Sequence, residues 1–95
     1  MGKTSASRQY NLRQAIEGAK NDPRPCKWVI YNNADDDLEA WVPADWEKNK
    51  GFTRRLSDAR VFSCYADART FMSVNGYAND WLAVPLYIME SGIVR

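Results

Sequence analysis

The chain has 95 residues, no histidine, four tryptophans and a formal net charge of +1, with 45% hydrophobic and 26% charged residues. These values suit one globular domain and exclude a wholly disordered chain. The lack of histidine also removes the side chain best suited to proton transfer near neutral pH and the commonest neutral metal ligand.

Residues 1–9, rich in Ser, Lys and Arg, read as a flexible tail ahead of a single domain over residues 10–95. A helix is predicted from Leu12 to Lys20, with Asn11 as its cap and Gln14 at the matching third position. Leu12, Ala15, Ile16 and Ala19 share its apolar face, and the Pro23/Pro25 segment stops it. KWVIYNN from Lys27 and LEAWVP from Leu38 read as an antiparallel hairpin, joined by a polar loop of about five residues. In this reading Trp28 and Ile30 point one way and Val29 and Tyr31 the other, Trp41 lies on an outer sheet face, and Pro43 ends the second strand.

Trp46 then falls in a polar connection, flanked by Asp45 and Glu47. Phe52 and Thr53 suggest a short strand, Ser57 the cap of a single turn, and Val61 and Phe62 inward-facing residues. The main helix is predicted from Cys64 to about Val74, capped by Ser63 and ended by Gly76. Tyr65, Ala68, Phe71 and Met72 form its buried stripe, with Asp67, Arg69 and Ser73 outside. A last strand is expected from Trp81 to Met89, with Pro85 arguing for an edge or bulge. The expected product is an α+β fold, a small antiparallel β-sheet with an N-terminal helix and a central helix packed on one face.

Charge is distributed in blocks along the chain. Residues 1–31 hold six bases and two acids, residues 32–47 six acids and no base, and residues 48–69 six bases and two acids. Asp35, Asp36 and Asp37, with Glu39, form the sharpest cluster, read as solvated turn acids or as a surface for a basic partner. They lack the alternating donors, the sixth-position glycine and the terminal glutamate of a calcium loop, so no metal site is expected. Lys48, Lys50, Arg54, Arg55, Arg60 and Arg69 make the opposing block, suited to phosphates or to pairing with the acids. An exposed tryptophan beside charges is typical of an interface anchor, and this makes Trp41 and Trp46 candidates.

Cys26 and Cys64, too few for a disulfide-built scaffold, are expected as reduced thiols. The absence of a long apolar run and of a hydrophobic segment behind MGKTSASRQ leads us to expect a cytoplasmic protein with no membrane contact. No P-loop, dinucleotide glycine motif, Cys-x-x-Cys or zinc spacing is present, and no triad can include histidine, so neither enzyme activity nor a cofactor is expected.

The stretch GFTRRLSDARVFSCYADARTFMS, following KWVIYNNADDDLEAWVP, is similar to a pattern in many small bacteriophage accessory proteins. Those proteins set a short β-meander before a Leu-Ser-x-Ala-x-x-Phe turn and a helix. Phe52, Leu56, Ser57, Ala59, Phe62, Ala68 and Phe71 carry the resemblance over roughly half of the chain. The N-terminal helix and the triple-Asp loop have no counterpart in that pattern, which transfers no functional residue. The resemblance implies a small α+β protein that inhibits host defence, as some phage proteins of this size inhibit CRISPR effector complexes. The expected partner is a host protein or ribonucleoprotein complex, met by Asp35, Asp36, Asp37, Glu39, Trp41, Trp46, Arg54 and Arg55. The rival expectation is a nucleic-acid-binding accessory protein using the basic 48–69 segment.

Overall fold

The computed structural model describes residues 12–22, 26–35, 38–48, 51–77 and 81–91; for residues 33–35, 38 and 91 it describes the backbone alone. The expected tail, the Asn11 cap, Pro23, Pro25, Asp36, Asp37 and Lys50 lie outside the described residues. The elements are α1 (residues 12–20), β1 (Trp28–Asp35), β2 (Leu38–Trp41), a 3₁₀ turn (Leu56–Asp58), α2 (Tyr65–Val74), β3 (Trp81–Pro85) and α3 (Leu86–Ser91). The fold is α+β, with a three-stranded antiparallel sheet in the order β2-β1-β3.

β1 is central because its β-branched and aromatic run is apolar on both faces. Trp28 and Ile30 face one side, Val29 and Tyr31 the other, and none of the four exceeds 3% exposure. Each such side chain contributes roughly 1.5–3 kcal/mol of burial. On the first face Trp28 meets Tyr65 of α2 edge to face, with ring centroids 4.9 Å apart. On the second, Tyr31 lies opposite Trp41 of β2, and the Trp41 indole N–H donates to the Met89 sulfur of α3 at 3.4 Å. Helices therefore meet both faces of the sheet. α1 and α2 run antiparallel: Lys20 at the end of α1 sits over the ring of Tyr65 at the start of α2, and Arg13 near the start of α1 borders a cleft with Ser73 near the end of α2. Leu12, Ile16 and Ala19 bury the apolar face of α1 as its spacing requires.

Between β2 and α2 the chain forms a strap through three isolated bridges: Thr53 to Trp41, Ala59 to Pro43 and Phe62 to Trp28. Thr53 and Trp41 exchange backbone hydrogen bonds of 2.8 and 2.9 Å, which covers the outer edge of β2. The single turn is the 3₁₀ turn, with Arg55 rather than Ser57 at its cap position. Phe62 turns inward as expected, but Val61 is exposed.

Two expectations at the ends of elements are corrected. The hairpin loop is shorter than five residues, because β1 continues to Asp35, which pairs with Leu38 after a register irregularity beyond Asn32. The last strand stops at Pro85, and Leu86–Ser91 is helical. Ile88 and Met89 are buried while Tyr87 and Glu90 are exposed, a helical rather than a two-residue period. Pro85 itself fits its place on an edge strand. Its partner Trp28 spends both its N–H and its carbonyl on Phe62, at 2.9 and 2.8 Å, so the missing proline N–H leaves no ladder bond unmade.

The N-cap position of α2 is Cys64, and the Ser63 hydroxyl hydrogen-bonds the Asp67 carboxylate at 3.1 Å instead of capping the backbone. The helix ends at Gly76, whose φ of +69° places it in the left-handed region. Tyr77 N–H bonds to Met72 O at 3.0 Å and Gly76 N–H to Ser73 O at 3.4 Å, the paired bonds of a Schellman closure.

Candidate interaction surfaces

Of the eight residues singled out by sequence, those described do not all lie at the surface. Asp36 and Asp37 lie outside the described residues, and Asp35 is the last residue of β1. Glu39 accepts a 3.0 Å hydrogen bond from the hydroxyl of Tyr31, itself 1% exposed. It thus anchors a buried ring as well as extending the acidic region. Trp41, expected on an outer face, is 2% exposed. The correction follows from α3, whose Met89 receives the Trp41 indole, and from Thr53, which bridges its backbone.

Trp46 is half-buried and braced from two sides. Its indole N–H donates to the Tyr77 hydroxyl at 2.8 Å, and its ring meets Phe71 at 5.2 Å in a T-shaped contact. It packs against Phe71 of α2 and against Tyr77 just beyond that helix. Phe71 also touches Phe62 at 5.4 Å and stacks on Tyr77 at 6.0 Å, and Tyr77 meets Trp81 at 5.1 Å. A continuous aromatic wall therefore runs from the turn after β2 to the start of β3. Spacing along the sequence does not reveal it, because Trp46, Phe62, Phe71, Tyr77 and Trp81 come from four separate segments.

Arg54 and Arg55 are exposed, as expected, and Arg54 stands beside Glu39. Arg54 Nη1 reaches the Glu39 carbonyl at 3.5 Å, and its guanidinium lies 4.8 Å from the Phe52 ring centroid. Phe52 is 47% exposed, so the pair is an aromatic and a cation presented together to solvent. Arg55 is 79% exposed and approaches Asp58 at 3.7 Å, an ion pair worth little in that setting. Beside them lies an open cleft of about 480 Å³ bordered by Pro43, Asp45, Phe52, Ser57 and Asp58.

Arg60 and Arg69 of the basic block lie elsewhere. Arg60 pairs with Glu47 at 3.3 Å and covers the rings of Phe62 and Phe71. Arg69 joins Arg13 at a second open cleft of about 500 Å³, between α1, the end of α2 and the start of β3, where Ser73, Tyr77 and Trp81 also contribute. No sequence pattern pointed to Arg13, Tyr77 or Ser73 as site residues, since they meet only through the antiparallel helix pair and the Gly76 closure.

Both cysteines are free thiols, Cys64 exposed and Cys26 half-buried. Burial, and next the Asp22 carboxylate, push the Cys26 thiol above its ordinary value, against a smaller opposing hydrogen bond with Trp28. Among the described residues no group of three or more Cys, Asp or Glu side chains is placed to hold a metal ion. Among the same residues no helix is long and apolar enough to cross a membrane.

Comparison with known proteins finds no matching family model, no matching curated protein and no matching solved structure.

Proposed function

We propose that the protein is a non-enzymatic binder that docks on a macromolecular partner through the outer side of β2 and the strap. The observation that carries this reading is Phe52, nearly half exposed, held under the Arg54 guanidinium and next to the open Arg55. Aromatic and arginine side chains are enriched among the residues that dominate binding energy, and a half-exposed phenyl ring gains most when a partner covers it. Glu39 and the Asp35, Asp36 and Asp37 acids close to it in sequence would set orientation against a basic surface. Trp41, whose backbone bridges Thr53, supports this face from the interior, and neither Trp41 nor Trp46 makes direct contact in this reading.

The resemblance to small phage accessory proteins makes a host complex, including a CRISPR effector complex, the partner class to test first. In that reading the protein acts in the cytoplasm of an infected bacterium and inhibits by steric occupation.

The test is capture of a tagged protein from lysate of a defence-competent bacterium after nuclease treatment, beside a Phe52→Ala/Arg54→Glu variant. A stoichiometric protein complex that survives nuclease, and is lost in the variant while circular dichroism is unchanged, supports docking through this face. Equal retention by both proteins, or recovery of nucleic acid alone, rejects it.

A further inference from the structure

We infer that the cleft between α1, the end of α2 and the start of β3 binds a nucleotide unit, its base against Trp81 and Tyr77 and its phosphate between Arg13 and Arg69. This inference uses none of the residues assigned to partner docking and stands or falls separately.

Two guanidinium groups border this cleft, and neither has a carboxylate partner among the described residues. Among the other described arginines, Arg60 pairs with Glu47 and Arg55 with Asp58, while Arg54 reaches the Glu39 carbonyl. The only described contact of Arg69 is a 3.8 Å approach of Nη1 to the Met72 sulfur, a weak acceptor. Its other N–H donors have no partner among the described residues. Two guanidinium forks bordering one cleft suit a phosphate, which accepts charge-assisted hydrogen bonds from both.

The aromatic side of the cleft is rigid before any ligand arrives. Tyr77 stacks on Phe71 with an interplanar angle of 28°, its hydroxyl accepts from Trp46, and the Gly76 closure fixes its backbone. Trp81 meets Tyr77 at 69°, so the two rings form a corner rather than a flat wall. Both are half-buried, leaving part of each ring facing the cleft. A planar base is held well by such a corner, and stacking of this kind tolerates any base. The Ser73 hydroxyl, on the outer side of α2, adds a donor and acceptor for sugar or phosphate oxygens. A cavity of about 500 Å³ suits a ligand of nucleotide size.

Free nucleotides and single-stranded nucleic acid share this chemistry, and both belong in the test. Binding of a fluorescein-labelled eight-residue oligothymidylate is followed by anisotropy, and AMP is titrated both alone, by tryptophan fluorescence, and as a competitor. An Arg13→Gln/Arg69→Gln variant is compared with Arg54→Gln/Arg55→Gln, which removes the same charge from the other face. The expected result is at least a tenfold weaker affinity for the first variant only. With the oligonucleotide, its salt slope also falls by roughly 0.7, the value for one lost phosphate contact on a single strand. AMP binding that competes with the oligonucleotide assigns the cleft to a single nucleotide. Oligonucleotide binding without AMP binding assigns it to a strand. Equal losses in both variants would mean generic charge attraction and would overturn the inference, as would no binding of either probe to the unaltered protein.

Discussion

Replacing Trp46 distinguishes a side chain that braces the fold from one that waits for a partner. Complete burial followed by truncation of tryptophan to alanine costs about 3–5 kcal/mol. Trp46 is half-buried, so about 2–3 kcal/mol is expected for Trp46→Ala. The contacts give the same figure: about 1 kcal/mol for the 2.8 Å hydrogen bond to Tyr77 and about 1 kcal/mol for the T-shaped pair with Phe71, before any apolar burial is added. For a domain of this size that corresponds to a fall in Tm of roughly 10–20 °C. Urea denaturation followed by far-ultraviolet circular dichroism measures it directly. A cycle of Trp46→Phe and Tyr77→Phe isolates the hydrogen bond, with a coupling of about 1 kcal/mol expected. A loss below about 0.5 kcal/mol in Trp46→Ala, the range of ordinary surface substitutions, would refute the bracing role and return Trp46 to the set of interface anchors.

Leu12 is fully buried at the start of α1, and Leu12→Ala is expected to cost about 3 kcal/mol in urea denaturation; a cost under 1 kcal/mol would mean that α1 is not part of the core. At Gly76 an added Cβ meets nothing within 4 Å, so the roughly 1 kcal/mol expected for Gly76→Ala comes from the positive φ alone, and an unchanged midpoint would contradict that conformation. A chromogenic disulfide reagent at neutral pH should modify Cys64 rapidly and Cys26 slowly, because Cys26 is half-buried and its thiolate is disfavoured; faster modification of Cys26 would refute the assignment. The same raised thiol carries a sign for stability. The unfolded chain loses this proton first, near its ordinary value of 9.0, so the folded state loses stability as pH climbs through 9.0 toward the raised folded value. Cys26→Ala should make the decline over that window shallower than in the unaltered protein, and an identical slope would show that Cys26 does not contribute.

Local pattern carried much of this fold. The apolar spacing of α1, the buried stripe of α2 and the stop at Gly76 are each written within a dozen residues, where side-chain period and backbone chemistry act directly. β1 was equally legible because Trp28–Tyr31 is rich in residues that suit a pleated surface. The strand expected to run on to Met89 shows where such reasoning loses its grip. A short apolar run fits either a strand or a buried helix, and here the edge position of Pro85 and the docking of Met89 on Trp41 decide it. Trp41 was misplaced for the same reason, since its outer face is solvent only if nothing from beyond Pro85 folds back. Among the candidate residues, Arg54 and Glu39 do meet, because they lie on neighbouring stretches of the hairpin and strap. The cleft of Arg13 and Arg69 brings the start of α1 beside the later turns of α2, and no linear pattern records that pairing.

Trp28 is bonded through its backbone to Phe62 on one side and lies opposite Pro85 on the other. The beginning of the central strand is therefore finished only when two segments far away in the chain have both arrived. Bringing them there costs loop-closure entropy before any contact repays it, which slows folding more than it alters the final stability. The hairpin of β1 and β2 is the piece that local contacts can form early, and Trp28 is among the last positions to acquire its full set of neighbours. Substitutions around Trp28 should accordingly accelerate unfolding while leaving the refolding rate nearly unchanged, marking the joint as a late-closing seam.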